Sequence, residues 1–259
     1  MIQALYAFCA GTRRACVQNM LYQRQELQNE VMYSAYFNWC IVDDEKGPVL
    51  VDQLFSRRCA EEMHIPFEVS VPPTDFLKRT GFRPEDVKHV VLTHLHWDHY
   101  AGDDFYPEAM YYVHQQELNH VVSRWMRYSV YSRHYYMPAV RRFLQLLTEG
   151  RVRIIDGKQF RLCPGITCLH MGAHTPGLMA VMVEKGMQRK ILTSDVLPMY
   201  RNFEDMTPCG IHDGVKDALT ALEKIRALVD GDADGIIPGH DAEVLNRYPE
   251  ESPSVIRIL

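Results

Sequence analysis

Residues 93–99 read Thr-His-Leu-His-Trp-Asp-His and follow directly on residues 87–93 (VKHVVLT), a short β-branched run that predicts a buried strand. Three imidazoles and a carboxylate therefore stand where a strand gives way to a loop. With 12 His in 259 residues, the pattern HxHxDH arises by chance in roughly two of a thousand such chains, so its spacing is a specific signal against an exposed polar turn. Side chains two apart at a strand end point the same way, so His94 and His96 can share one ion. Asp98 and His99 lie just beyond and suit a second ion nearby.

Four local donors cannot close two sites, and three further donors stand at other predicted strand ends. His174 sits in Gly172-Ala173-His174-Thr175-Pro176-Gly177 after ITCLHM, Asp195 ends ILTS, and His240 follows GIIPG. Each taken alone reads more readily as a cap or a surface residue. Together with the first cluster they complete a set for two divalent cations: Zn²⁺ first, with Fe²⁺, Co²⁺ or Mn²⁺ as the other ions such donors hold.

The remaining pattern alternates strands and helices without a repeat or a Gly/Ser-rich linker, which predicts a single α/β domain over residues 1–259. Residues 31–42 and 48–52 form a predicted hairpin, a helix runs over 73–80 to Gly81, and a strand over 109–113 leads into a helix from Gln115. A helix over 139–147 precedes the strands RVRIID, ITCLHM, LMAVMVE and RKILTS. Asp213 is the expected N-cap of a helix over 215–229, and GIIP is the expected final strand. The apolar start MIQALYAFCAG lacks a basic residue before it and suits a first strand rather than a signal peptide. No apolar run is long enough to span a membrane. The seven Cys contain no CxxC pair, so free thiols and a cytoplasmic location are expected. A formal charge of −5 argues against nucleic-acid partners, whose phosphates call for a basic surface.

The motif set in this order resembles the metallo-β-lactamase superfamily, with HxHxDH, a His in an HTPG turn, an Asp after a strand and a late Gly-His. The resemblance implies an αβ/βα sandwich, two mixed β-sheets face to face with helices outside and metals at one open edge. It also implies that His94, His96 and His174 bind one metal, Asp98, His99 and His240 the other, and that Asp195 bridges them. Asp52, at the end of PVLVD, matches an acidic residue that orients a ligand imidazole, although a plain strand-terminal Asp reads the same way. Water shared by two such cations loses a proton near neutral pH and becomes a hydroxide nucleophile. Asp98 can in addition hand a proton to the leaving group, or serve only as a ligand.

Within that superfamily, LTHLHWDHYAG, Ser194-Asp195 with a Tyr soon after, and the ending IIPGHDAEVLNRYP are similar to the N-acyl homoserine lactone lactonase-like branch. The class B β-lactamases commonly place a Cys among the ligands and glyoxalase II-like thioesterases commonly read HTPGH, where this chain has HTPGL. The branch implies an esterase that opens a lactone or similar activated ester, with Tyr200 as the candidate hydrogen-bond donor to the substrate carbonyl. Hydrolysis of an aryl ether, thioester or phosphodiester on the same metals is the alternative, and a binding subunit without turnover is the third. Residues 123–137 are rich in Arg and aromatic side chains, and Trp125, Tyr128, Tyr131, Tyr135 and Tyr136 suit a partly apolar pocket wall or lid for a small-molecule substrate. A subunit contact in a homo-oligomer fits them equally, so about 115–147 is read as a lid or dimerisation insertion. Arg124, Arg127 and Arg133 would then face an anionic group on the substrate, or form a solvated helix face.

Overall fold

The chain is described by a computed structural model over residues 1–67 and 72–259. The strands are β1 (Ile2–Arg14), β2 (Tyr33–Asp43), β3 (Gly47–Val51), β4 (His89–Val91), β5 (Met110–His114), β6 (Val152–Ile155), β7 (Gln159–Cys163), β8 (Ile166–His170), β9 (Met179–Lys185), β10 (Gln188–Ser194), β11 (Ile236–Pro238), β12 (Glu250–Ser252) and β13 (Val255–Arg257). Eight of them form one sheet in the order β12-β13-β1-β2-β3-β4-β5-β6, antiparallel as far as β3 and parallel from β3 to β6. The other five form a second sheet, β11-β10-β9-β8-β7, in which only β10 and β11 run parallel. Both sheets are mixed, as the family resemblance implies.

Strand alternation decides what each face buries. On β2, Phe37, Trp39 and Ile41 enter one apolar cluster together with Val181, Ile191 and Cys168 of the second sheet, so the two sheets share a core. The intervening Tyr36 and Cys40 belong to a second cluster, with Leu50 and Val90, that the outer helices cover. Helices Pro73–Arg79 and Met137–Thr148 bury Phe76, Leu77, Val140 and Phe143 there, and truncating a buried Phe such as Phe143 to Ala is expected to cost about 3–5 kcal/mol. Helix Val215–Leu228 contributes Ala218, Leu222 and Ile225, at helical spacing, to the cluster between and behind the sheets.

Three expectations need correction. Asp213 does not cap the helix: Gly214 is its N-cap, while the Asp213 N–H donates to the Ala173 carbonyl at 2.7 Å and its carboxylate takes a hydrogen bond from Tyr131. GIIP becomes β11 but is not final, since β12 and β13 follow and β13 pairs back onto β1. Strand β7 (QFRLC) is an addition to the expected strands: its own pattern is weak, and its pairing with β8 is what makes it a strand. The helix and strand positions otherwise agree within a few residues. All seven Cys are free, and Cys16 alone is exposed. Among the described residues no helix is long and apolar enough to cross a membrane.

Candidate metal centre

The seven predicted donors arise from four strand ends. His94, His96, Asp98 and His99 follow β4, His174 follows β8, Asp195 comes directly after β10, and His240 follows β11. Strands β8, β10 and β11 point the same way in the second sheet, so their C-terminal ends deliver side chains to one edge. Three overlapping trios result: His94, His96 and His174; His94, His99 and Asp195; and Asp98, His99 and His240, each with donor atoms within 4.8 Å of one another. Asp195 reaches both ends of the cluster. Its Oδ2 lies 3.3 Å from His174 Nε2, while Oδ1 lies 3.3 Å from His99 Nε2 and 3.0 Å from His240 Nε2.

The far nitrogen of most of these imidazoles is already engaged, which fixes the ring and leaves the near nitrogen as the donor. His174 Nδ1 donates to the Ile211 carbonyl at 2.7 Å, His240 Nδ1 to the Ala35 carbonyl at 2.9 Å, and His99 Nδ1 to Asp52 Oδ2 at 2.7 Å. Asp52 therefore orients the His99 imidazole. Its other oxygen accepts from the Thr93 N–H at 2.7 Å, and the Ser194 hydroxyl donates to Thr93 Oγ1 at 2.9 Å, joining the two sheets beneath the cluster. Asp52, Ala173 and Ser194 all adopt positive φ (61°, 76° and 48°), which costs each about 1–3 kcal/mol and marks backbone held in place by its surroundings.

Glu117 performs a similar task that the sequence did not reveal. It is fully buried at the start of helix Gln115–Val121 and accepts from the Leu95 N–H (3.1 Å), the Tyr135 hydroxyl (3.2 Å) and the Thr175 hydroxyl (2.6 Å). One carboxylate thus ties the loop of His94 and His96 to the loop of His174. Gly177 makes this possible, because a Cβ there would stand 2.1 Å from the Glu117 nitrogen. A Glu near the start of a helix reads as an exposed acid in sequence, so no local signal distinguished it.

The chemistry of the cluster suits cations. His94 Nε2, His99 Nε2 and Asp195 Oδ1 are buried without a hydrogen-bond partner among the described residues, an arrangement that metal ligation satisfies. Burial, aided by neighbouring imidazoles, holds His94 and His96 well below the ordinary His range and so in the neutral ligand form. For His99 and His240, burial is outweighed by Asp195 and the other carboxylates, which push both up: the acidic surroundings favour a positive charge at that end. Burial likewise opposes the ionisation of Asp195, and His240, His99 and His174 overcome it to keep the carboxylate well below its usual range.

A cavity of about 310 Å³ opens over the donors, lined by His96, Asp98, Asp195 and His240 and walled by Arg13, Tyr36, Trp97 and His134. A smaller lobe of about 170 Å³ adjoins it past His96 and His174, with Tyr131, Tyr135, His120 and His212 on its walls. The aromatic expectations divide here. Tyr131 and Tyr135 line the lobe, and Trp125 lines only an outer recess beside Tyr131. Tyr128 is 48% exposed and lines no described cavity, and Tyr136 turns into the helix-side core, where its hydroxyl donates to Glu62 at 2.5 Å. Tyr200 also stays out: it heads helix Tyr200–Glu204, packs in the inter-sheet core, and lies under the Arg247 guanidinium at 3.7 Å. Counting positions after Asp195 could not show which way that helix turns its ring. Arg124 and Arg127 stack on Trp125 and Tyr128 at the surface, whereas Arg133 reaches the cavity. His134, which nothing in the sequence separates from its aromatic neighbours, also stands on the cavity wall. Its ring sits 5.2 Å from that of His96, and burial, with His174 and Arg133, lowers it to about 4.

Residues 37–240 match the family model for the metallo-β-lactamase superfamily. The N-acyl homoserine lactonase AiiA of Bacillus thuringiensis subsp. kurstaki is 26% identical over 219 residues, covering 79% of this chain and 81% of the relative. A solved N-acyl homoserine lactone hydrolase, with its product N-hexanoyl-L-homoserine bound at the catalytic metal centre, superposes with a TM-score of 0.78 at 20% identity, covering 97% of this chain and 98% of that one. AidC, a dizinc quorum-quenching lactonase, superposes with a TM-score of 0.71 at 16% identity over 92% and 87% of the two chains.

Proposed function

The chain belongs to the metallo-β-lactamase superfamily, and on that footing we propose that it is a dinuclear metal-dependent hydrolase that opens a lactone or similar activated ester. The observation that carries this reading is Asp195, whose two oxygens divide between His174 on one side and His99 and His240 on the other, an arrangement that suits a carboxylate shared by two cations. His94, His96 and His174 would hold one ion and Asp98, His99 and His240 the other, with zinc first because the donors are imidazole and carboxylate and a similar lactonase is dizinc. Bound there, two divalent cations supply the acidification of water and the polarisation of an ester carbonyl that hydrolysis needs.

The chain's own groups account for the rest. Water adds to the acyl carbon as the ring C–O bond breaks, so the leaving oxygen must gain a proton. Asp98 is the carboxylate we assign to that relay, since it lines the cavity and lies 3.6 Å from His240 Nε2. Tyr131 and Tyr135 wall the adjoining lobe, with the lobe's polar groups beside them, so the segment around residues 115–147 serves as an active-site wall. Trp125 and Tyr128 on its outer side are exposed, which leaves that side for a second copy of the chain. A cytoplasmic location completes the reading.

Elemental analysis of the purified protein, paired with a panel of lactones, esters, thioesters and phosphodiesters before and after chelation, tests it. Two metals per chain with chelator-sensitive lactone opening, restored by metal, is the expected result. Two metals with turnover confined to another bond would move the substrate class, and one metal or none would overturn the dinuclear mechanism.

A further inference from the structure

Arg13 stands near the end of β1, opposite Ser34 in the β1–β2 register, and Ser34 in turn bridges to Asp241 beside His240. The strand pairing thus places a guanidinium against the His240 side of the cavity, whose wall it joins. Its Nε is shielded from solvent and has no hydrogen-bond partner, and no carboxylate lies within ion-pair distance of Arg13 among the described residues. Other arginines of the molecule are used differently. Arg24, Arg142 and Arg201 each hold two carboxylates, and Arg151 is tied to the backbone carbonyls of Tyr106 and Ala109. In a chain with 33 acidic against 28 basic residues, an unpaired guanidinium on a cavity wall is conspicuous, because a desolvated donor is costly unless something completes it.

Arg133 lines the same cavity from the other segment. Its Nε donates to His134 Nε2 at 3.1 Å, which holds the side chain and leaves its terminal N–H groups without a carboxylate among the described residues. The carboxylates that also face this space, Asp98 and Asp195, are claimed by the donor cluster, and Asp213, in the adjoining lobe, receives Tyr131. The cavity over the donors therefore presents two uncommitted guanidinium groups where a long neutral acyl chain would call for apolar walls.

We propose that Arg13 and Arg133 form an anion subsite beside the metal centre, so that the substrate is a compact lactone or ester carrying a carboxylate substituent. The inference rests on the hydrolase reading above and narrows its substrate class. The planar fork of Arg matches a carboxylate bidentately, and a site close to bound cations attracts an anion further. The substituent would seat between the two side chains while the ester reaches the donors.

A matched pair of substrates tests this: N-glutaryl homoserine lactone, with a terminal carboxylate, against N-pentanoyl homoserine lactone, its neutral counterpart of equal chain length. The metal-loaded wild type should prefer the glutaryl compound by about tenfold or more in kcat/KM, through KM rather than kcat, and added salt should shrink the preference. Arg13→Met and Arg133→Met, which keep the apolar stems, should each lower the glutaryl-to-pentanoyl ratio at least several-fold, and Arg13→Lys should restore part of it. Arg161→Met, an exposed change on β7 away from the cavity, should leave the ratio alone. Equal rates for the two compounds in the wild type, or an unchanged ratio in Arg13→Met, would overturn the subsite. Hydrolysis of neither compound would count against the lactone reading instead. Calorimetric binding of N-glutaryl homoserine lactone to wild type and Arg13→Met then decides the subsite, and equal affinities overturn it.

Discussion

The donor cluster and the segment over residues 123–137 are both rich in rings and charges, yet they are stabilised in opposite ways. In the cluster most polar atoms that do not face the cavity are engaged by buried partners: Asp52 holds His99 and Thr93, Glu117 holds the loops that carry His94 and His174, and carbonyls of Ala35 and Ile211 hold His240 and His174. In the segment, Trp125 and Tyr128 stand 45% and 48% exposed and meet mainly each other and the adjacent arginines. Rigid chemistry is thus set on strand ends backed by the core, and the outer part of the segment, around Trp125 and Tyr128, is set on short turns that the core barely constrains, while Tyr135 and Tyr136 at its end are buried. Changes in the first region should therefore abolish function or stability. Changes in the second should only retune it.

The sharpest way to break that contrast is Asp195→Asn. It keeps the shape and removes the charge that His174, His99 and His240 share, so kcat/KM should fall by about 1000-fold or more and the metal content should drop by elemental analysis. Two retained metals with activity within about tenfold of wild type would remove Asp195 from the centre of the site.

Next in size is Glu117. Glu117→Ala strands the Leu95 N–H and the Tyr135 and Thr175 hydroxyls in a buried space, and should lower stability by about 2–4 kcal/mol in denaturant unfolding of the metal-loaded protein. Glu117→Gln retains an oxygen for Leu95 and should recover most of that loss. Gly177→Ala probes the same contact from the other side, since its Cβ would meet the Glu117 backbone, and about 1–3 kcal/mol is expected. A neutral Glu117→Ala would show that the loops of His94 and His174 hold themselves.

Smaller effects should come from the rings. Tyr200→Phe should leave kcat/KM within about threefold, because the side chain is buried under Arg247 away from the cavity, whereas Tyr131→Phe, which frees Asp213, should raise KM by a few-fold with kcat little changed. A large loss of kcat in Tyr200→Phe would put the hydroxyl at the substrate after all.

What sequence could and could not convey follows the same division. The donors were readable because imidazole and carboxylate at predicted strand ends have few other uses in that density, and β-branched runs such as residues 87–93 announce the strands beneath them. Strands β7, β12 and β13 were not readable, since they owe their form to partners rather than to their own pattern, and β13 pairs with β1 at the opposite end of the chain. Glu117 and Arg13 stayed hidden for a related reason. Each matters through what surrounds it in space, and nothing in its neighbours along the chain marks a buried acid or an unpaired guanidinium.

The weakest interactions on the molecule set the lower limit of the contrast. Arg24 and Arg201 both reach Asp205, and Arg201 also reaches Glu30, so a surface network fastens the stretch after β1 to helix Tyr200–Glu204. The hydrogen bond from Arg24 holds the Asp205 carboxyl below its usual range; burial opposes it, and the hydrogen bond from Arg201 adds to the lowering. A carboxyl whose folded value is depressed binds its proton more readily in the unfolded chain, so its stabilising contribution is complete above the ordinary carboxylate range and is lost as pH falls through the depressed value. Asp205→Asn should therefore lower Tm by no more than a few degrees at neutral pH, by less in high salt, and by progressively less as pH falls below the ordinary carboxylate range. Thermal melts of both proteins across that range measure it. A difference that persisted undiminished in acid would mean that Asp205 acts through packing or backbone contacts, and that the exposed stretch leans on the fold more heavily than its ion pairs indicate.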